Sequence, residues 1–461
     1  MVIRGFSGRS ANQGLPGPSS LSVLARLRQI QASPLAFLME YTRRYGDLWG
    51  FTAGTQPVVF ANHPSLVKHI LLDNAHNYSK DTFQYRQLAR IAGKGLLTSD
   101  GEIWLTHRRL LQSAFHHSLH DELATTAFVL AHEMSNEFAQ RNREGGEGKL
   151  VNIQPWMLHL AMRILGKTFF SMELDGASES LVHSVEIALD YILHSSFQFL
   201  LKRENKYAFE QALAEIDQFA HHLIITARQR KKKDSTSKDF LDILVAALEG
   251  KGTVSLTESE VRDEIVTLLI AGHETVATAL TWTMYLLAAH VEVQEALRAE
   301  LFNTLGGEQP PTYQKLSQLT LTRHVFEEAL RLFPPAWLIT RRAVQEDILG
   351  EHRVPANALV VISPYAVHRH PSFWAQPEHF DPSRFESALA KSRPRFAYIP
   401  FGAGPRLCIG NQVAVVESLA VIAALVQRFR FSLARASAVP QMKASVTLQP
   451  KEGMWLRIQS L

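Results

Sequence analysis

A single cysteine, Cys408, is all the thiol chemistry that this chain of 461 residues possesses. One cysteine excludes an internal disulfide, and with it multi-cysteine zinc and iron–sulfur sites. What remains is a buried bystander, a nucleophile, or a metal ligand acting through one thiolate. Net charge is equally sparse, at +4 with the lysines and arginines scattered, so nothing points to nucleic acid. The densest basic run, Arg228–Lys233, leads into Asp234 and three hydroxyl residues and reads as a solvated loop. No uninterrupted apolar stretch reaches the roughly 18 residues of a membrane span. The long apolar segment near residue 270 carries His273 and Glu274 in its middle, so no transmembrane anchor is expected. The Gly/Ser-rich start, Met1–Gly14, lacks the apolar core of a signal peptide and reads as a flexible tail. Together these absences predict a cytoplasmic protein.

The composition itself, 46% hydrophobic and 20% charged, supplies material for a large core. Length alone suggests two or three domains, yet no repeat or low-complexity linker divides the chain. One large continuous unit from Leu15 to Leu461 is therefore expected. The segment Leu15-Pro-Gly-Pro18 is a stiff, turn-rich beginning, and Asp47–Thr52 with Gln56–Asn62 reads as a hairpin turning at Gly54. Helical periodicity dominates from about Trp104 to Leu332, and short strands return in Arg342–Gln345, Ala358–Ile362 and Ser445–Ile458. The fold class that follows is mostly α with a small β region. Thr257 and Glu260 have the spacing of a capping box and open a helix reaching about His290, roughly 50 Å long at 1.5 Å per residue. Gly272 lies inside it, where glycine costs about 1 kcal/mol relative to alanine, so packing or chemistry must compensate.

The strongest chemical signal is Phe401-Gly-Ala-Gly-Pro-Arg-Leu-Cys-Ile-Gly410. Gly402, Gly404 and Gly410 permit a tight loop and close approach to a flat ligand. Cys408 then stands at the entrance of an apolar helix from Asn411 to about Phe429, whose dipole and free N–H groups favour a thiolate. An isolated cysteine is more often a buried structural residue; one in this setting reads as a ligand. The segment resembles the heme-binding loop of the cytochrome P450 family, Phe-x-x-Gly-x-Arg-x-Cys-x-Gly, at every fixed position. That resemblance implies the P450 fold around a buried heme b (iron protoporphyrin IX), with Cys408 as its thiolate ligand and Phe401, Arg406 and Gly410 against the cofactor.

Further motifs follow the family's order. Glu328-Ala-Leu-Arg331 puts opposite charges three apart on one helical face; by resemblance it is a buried pair joined by Arg384 of Pro382-Ser-Arg-Phe385, with a folding role. Ser383 stands where the family more often has glutamate. Ala271-Gly-His-Glu-Thr275 is similar to the oxygen-activation motif, in which Glu274 and Thr275 pass protons toward dioxygen. Read alone, Thr275 is as readily a core threonine bonding back to its own helix, and His273 reads as structural. Trp104-Leu-Thr-His-Arg108 resembles the family's Trp-x-x-x-Arg helix, whose tryptophan and arginine bind a heme propionate. Arg342 and Arg406 match the other propionate arginines, and Arg341, adjacent, is the alternative to Arg342.

The resemblance runs from Leu15 almost to the C-terminus. Ile91-Ala-Gly-Lys-Gly-Leu-Leu-Thr-Ser99 resembles the substrate loop of bacterial fatty-acid hydroxylases of the family. By the same alignment Ile91, Ala271, Ala336, Trp337, Leu338 and Val446 face the substrate, and all are apolar. The implied reaction is monooxygenation: one oxygen atom of O2 enters an apolar small-molecule substrate, such as a fatty acid or terpenoid, and the other leaves as water. Electrons would come from a separate ferredoxin or flavodoxin with its reductase. A peroxide-driven peroxygenase or heme isomerase is the enzymatic alternative, against which the Glu274–Thr275 pair argues. A heme-based sensor or carrier is the non-enzymatic one.

Overall fold

The capping box at the start of the long helix forms as its spacing predicts. Glu260 N–H donates to Thr257 Oγ1 (3.3 Å) and Thr257 N–H to Glu260 Oε2 (2.8 Å). The helix then runs unbroken over Glu258–Ala289, consistent with the expected end near His290. The computed structural model describes residues 14–116, 119–145, 150–174, 177–194, 203–231, 239–252, 254–307, 309–435 and 440–461. The tail 1–13 lies outside the described residues, as do 232–233 of the basic run. The rest of that run is not a loop: Arg228 to Lys231 end the helix Arg203–Lys231, and Arg230 binds Asp239 (2.7 Å), Asp242 (3.1 Å) and the Phe170 carbonyl.

The chain packs as two compact units. One comprises Met1–Thr82, Trp337–Glu378 and Lys391–Leu407; the other comprises Phe83–Ala336, His379–Ala390 and Cys408–Leu461. The chain passes between them five times, so no linker marks their borders. This is why the sequence reads as continuous.

The first unit is built on a five-stranded sheet from β1 (Leu48–Ala53), β2 (Gln56–Ala61), β3 (Tyr78–Ser79), β4 (Ile339–Ala343) and β5 (Leu359–Ile362), in the order β1-β2-β5-β4-β3. β1 and β2 form the expected hairpin, with Gly54 at φ +63° supplying the turn. β2 and β5 are parallel; the other pairs are antiparallel. Alternate side chains, among them Val59, Val360 and Ile362, fill an apolar cluster on one face; Trp49, Val58, Phe60 and Val361 fill a second. β4 begins three residues before the expected Arg342, because its register is set by pairing Ile339 with Ile362.

The second unit is helical. Its elements needed here are α1 (Phe83–Ala92), α2 (Gly101–Leu111), α3 (Ile153–Phe170), α4 (Glu258–Ala289), α5 (Thr320–Leu332) and α6 (Asn411–Val426). α4 packs on α3, where a Cβ at Gly272 would lie 2.4 Å from Leu165 Cδ1. Packing, then, is what compensates for that glycine. α4 is also the one described helix long and apolar enough to cross a membrane, and 78% of its apolar window is buried inside the protein. The short strands and final hairpin expected around Ser445–Ile458 form as a hairpin of β6 (Met442–Ala444) and β7 (Leu448–Pro450), followed by a strand Trp455–Ser460. Gly453 divides them at φ +76°, where a Cβ would meet Asn152 Nδ2 at 2.5 Å. α6 ends at Val426, and Phe429 opens the next strand instead of closing the helix.

Candidate active site

Cys408 lies three residues ahead of α6, whose N-cap is Gly410. The N-terminal peptide N–H groups of an apolar, sixteen-residue helix therefore sit beside the sulfur, as thiolate stabilisation requires. Cys408 is exposed. Arg108, on the last turn of α2, is the cation that senses it. Burial draws the Arg108 guanidinium below the ordinary arginine value, and the charge of Cys408 lifts it. No protein carboxylate pairs with Arg108 among the described residues. A half-buried guanidinium with a thiolate beside it and no protein counter-ion fits a cofactor that brings its own carboxylates. Trp104 lies one turn earlier on α2 and is half-buried.

The middle of α4 carries the second feature. Every residue from Asp263 to Ala288 is buried except Ala271, Gly272 and Thr275. Ala271 and Thr275 are four apart, so this is one narrow stripe on a helix otherwise packed all round. Partial exposure at these positions is what a helix bordering a cofactor and substrate requires. The Thr275 hydroxyl donates to Ala271 O (2.7 Å), as Thr281 does to Ala277 and Thr283 to Ala279. The back-bond is thus common to all three; partial exposure belongs to Thr275 alone. Glu274 is 4% exposed. Its Oε1 accepts from Thr447 Oγ1 (2.7 Å) and Gln449 Nε2 (2.7 Å) of the β6–β7 hairpin. Oε2 has no hydrogen-bond partner among the described residues. Burial pushes this acid up to about 7, against the lowering effect of its two donors. An acid raised this far can exchange a proton near neutrality. His273 is driven down to about 4 by burial, and its Nδ1 faces Leu269 O. A neutral imidazole bonded to its own helix has the structural character expected of it.

In the first unit, the glycine loop ahead of Cys408 is tightly seated. Gly402 and Gly404 adopt φ +71° and +68°, and a Cβ on Gly404 would lie 1.7 Å from Leu71 O. Gly410 is different. A Cβ there would meet only the Phe115 ring at 3.6 Å, so the protein itself does not demand glycine. Phe401 and Arg406 are half-buried. Arg341 and Arg342 point to opposite faces of β4, as neighbours in a strand must. Arg342 is spent on a surface ion pair with Asp81 and on Asn357 Oδ1 (2.7 Å). Arg341 is 6% exposed and faces inward. Of the two, Arg341 is the buried one and Arg342 the one engaged at the surface.

The remaining expected residues fall into two groups. The triad assembles: Arg331 binds Glu328 with Nε (2.6 Å) and Nη2 (2.8 Å), both residues fully buried. Arg384 Nε lies 3.4 Å from Glu328 Oε1, and Asp381 N–H donates to the same oxygen (3.0 Å). The apolar set is less uniform. Ala271 and Val446 are half-buried and Ala336 is exposed. Ile91 is fully buried, Leu338 packs on the cluster around Trp49 and Phe60, and half-buried Trp337 accepts at its carbonyl from Ser363 Oγ (2.8 Å). Leu338 is thus a core residue of the first unit, which its apolar neighbours in sequence conceal. Sequence reasoning passed over His107, Glu264, Thr447 and Gln449. Their partners are 157 to 175 positions away, a separation that no local pattern reveals.

A lone cysteine at a helix N-terminus, a half-buried arginine beside it and an acid–hydroxyl pair on a core helix are the equipment of a heme-thiolate enzyme. The family model for Cytochrome P450 matches residues 15–457, and the chain belongs to that family. It is 32% identical over 446 residues to cyclooctatin synthase of Streptomyces melanosporofaciens, covering 94% of this chain and 93% of that protein. It is also 32% identical to cyclooctat-9-en-7-ol 5-monooxygenase of the same organism, over 90% and 88% of the two chains. Among solved structures, CYP175A1 from Thermus thermophillus superposes with a TM-score of 0.77 at 29% identity, over 96% and 99% of the chains. The heme domain of a cytochrome P450DA mutant, at 22% identity, shares the fold with a TM-score of 0.83. The protein is accordingly a heme b monooxygenase of the P450 fold, of a family that uses O2, redox partners and apolar substrates.

Proposed function

We propose that this enzyme hydroxylates an apolar polycyclic substrate of terpenoid type, with Cys408 as the heme ligand. The observation that carries the reading is the pairing of Cys408 with Arg108 at the N-terminus of α6. Arg108, Arg406 and Arg341 hold the heme carboxylates, with Trp104 donating beside Arg108; Arg342, occupied by Asp81 and Asn357, does not. Phe401 and Gly410 pack against the ring. When bound, heme b supplies the reductive activation of dioxygen; the residues around it bind, orient and deliver protons. Glu274, protonated near neutrality, holds the proton on Oε2, because Oε1 is already occupied by Thr447 and Gln449. Thr275 leaves its back-bond to Ala271 to orient that proton's path. Ala271 and Val446, with Trp337, supply apolar contact and no fixed charge to the substrate.

The terpenoid class is favoured over a fatty acid by the two relatives named for cyclooctatin and cyclooctat-9-en-7-ol. The apolar contacts named above, Ala271, Val446 and Trp337, include no cation to receive a fatty-acid carboxylate. Electrons come from a ferredoxin or flavodoxin with its reductase, in the cytoplasm. The ferrous carbon monoxide adduct tests the ligand: it should show the far red-shifted band of thiolate ligation, and Cys408→His should abolish it. An unchanged band in that variant refutes the assignment. Spectral titration of the ferric enzyme with polycyclic diterpenoid alcohols and with long-chain fatty acids tests the substrate. A low-to-high-spin shift with fatty acids alone would overturn the terpenoid reading.

A further inference from the structure

Two buried titratable side chains take no part in the scheme above. His107 is 2% and Glu264 1% exposed, and His107 Nδ1 lies 2.6 Å from Glu264 Oε1. Glu264 closes a series of three consecutive charged residues on α4, each spent on the backbone of the last turn of α1 or of the segment that follows it. Arg262 Nη1 donates to Ile91 O (2.7 Å), Lys94 N–H donates to Asp263 Oδ2 (2.7 Å), and Leu96 N–H donates to Glu264 Oε2 (3.1 Å). The approach is close enough to require glycine twice. A Cβ on Gly93, itself at φ +53°, would lie 2.0 Å from Asp263 Oδ2, and one on Gly95 would lie 2.1 Å from Thr267 Oγ1. His107 belongs to α2, the helix of Trp104 and Arg108. One carboxylate therefore ties two elements to α4, the 91–98 loop through Oε2 and the Arg108 helix through Oε1.

We infer that His107, acting through Glu264, is a positioning residue that locks the 91–98 loop and the Trp104–Arg108 helix onto α4 as one rigid piece. The loop is thereby a fixed, specificity-determining wall of the substrate space. This rests on the resemblance of Ile91–Ser99 to the substrate loop of the family's bacterial fatty-acid hydroxylases, by which the loop borders the substrate. A carboxylate suits the task because it has two acceptor oxygens for two donors. Burial pushes the Glu264 acid upward, toward its neutral form, while His107 and the Leu96 amide oppose that. The same contact raises His107, with Glu260, whose Oε1 is 3.8 Å from Nε2, and Asp263 adding to it. The imidazole and the Leu96 amide each take a different oxygen of the carboxylate, Oε1 and Oε2. Arg262, in turn, is braced by Asp217 (2.7 Å) and Asp263 (3.0 Å).

Three variants of the holoenzyme test this. Glu264→Gln keeps the shape but offers one acceptor oxygen to two donors, so one bond must fail. His107→Phe removes the imidazole donor, and His107→Gln restores a donor without the ring. Amide hydrogen exchange over 93–98 should accelerate about tenfold or more, the scale of a lost hydrogen bond to a charged group, in Glu264→Gln and His107→Phe. It should stay near wild type in His107→Gln. Ferric spectral titration with phenylimidazoles of increasing bulk should show the larger members gaining affinity relative to the small ones in the first two variants only. Unchanged exchange in His107→Phe overturns the latch, whether or not Glu264→Gln accumulates as folded protein. Faster exchange with an unaltered size order overturns the wall, and with it the reading that the loop borders the substrate.

Discussion

Thr275 and Glu274 are adjacent in sequence yet differently placed, and their variants should separate accordingly. Thr275→Val preserves shape and removes the hydroxyl from the exposed stripe of α4. Electron consumption should persist, while peroxide release rises and product per electron falls. Coupling at the wild-type level would show the threonine to be a helix residue only. Glu274→Gln should slow the whole cycle, because the proton supply behind the hydroxyl is gone. Since burial raises Glu274 to about 7, product per electron in the wild type should fall as pH rises through about 7, as the acid gives up its proton. Glu274→Gln should lack that inflection. A second pair of variants concerns the arginines of β4. Arg341→Ala should accelerate heme transfer to an acceptor protein about tenfold or more, and Arg342→Ala should leave it unchanged. The reverse result would return the propionate to Arg342. The need for an arginine here is legible from the motif, but which of the two is not. A one-residue shift of strand register reverses the face of every side chain, and the pairing of Ile339 with Ile362 that fixes it is a tertiary fact.

Among the elements, α4 is the most readable. A capping box at Thr257 and Glu260 and an apolar run to Ala289 specify both ends of the helix from local chemistry. Thr257→Ala should cost about 1 kcal/mol of stability, the usual scale for a lost N-cap, seen as a lower urea midpoint. Glu260→Ala in the Thr257→Ala background should then cost less than it does alone. β1 and β2 are equally legible, because Gly54 fixes the turn. The C-terminal strands are not. Pro450-Lys-Glu-Gly453 marks a break within Ser445–Ile458, but the Asn152 side chain that holds Gly453 to glycine is found only in space. The fully buried Glu328–Arg331 pair on α5 illustrates the same limit from the other side. Three-residue spacing predicts contact but not burial, and burial determines the consequence. Glu328→Gln should destabilise by roughly 3–5 kcal/mol by stranding the Arg331 charge, and the holoenzyme should accumulate poorly. A surface pair with identical spacing would change the urea midpoint by far less.

For the molecule as a whole, the composition correctly anticipates a large apolar core, and it conceals the acids within it, Glu417 among them. Glu417 on α6 is 5% exposed, its Oε1 has no hydrogen-bond partner among the described residues, and burial pushes it up to about 8. Its folded value lies above its unfolded one, about 4.3. Stability is therefore highest below that unfolded value and is lost as pH climbs toward 8, at about 1.4 kcal/mol per unit. Glu417→Gln, which cannot ionise, should gain on the wild type as pH rises from about 5 to about 8, read from thermal midpoints across that window. A gap independent of pH would refute this.

The interleaving of the two units also has a cost in time. β1 and β2 leave the ribosome early, but β2 pairs in parallel with β5, which begins at Leu359, and β5 in turn pairs with β4. At about 5–20 residues per second of synthesis, the apolar edge that β2 presents waits on the order of 15–60 seconds for its neighbour to be made. During that wait Val58, Val59 and Phe60 are a strand without a sheet, the kind of edge that recruits other chains. Yield in a recombinant host should therefore depend on chaperone supply and translation rate through the middle of the message, well before heme becomes limiting.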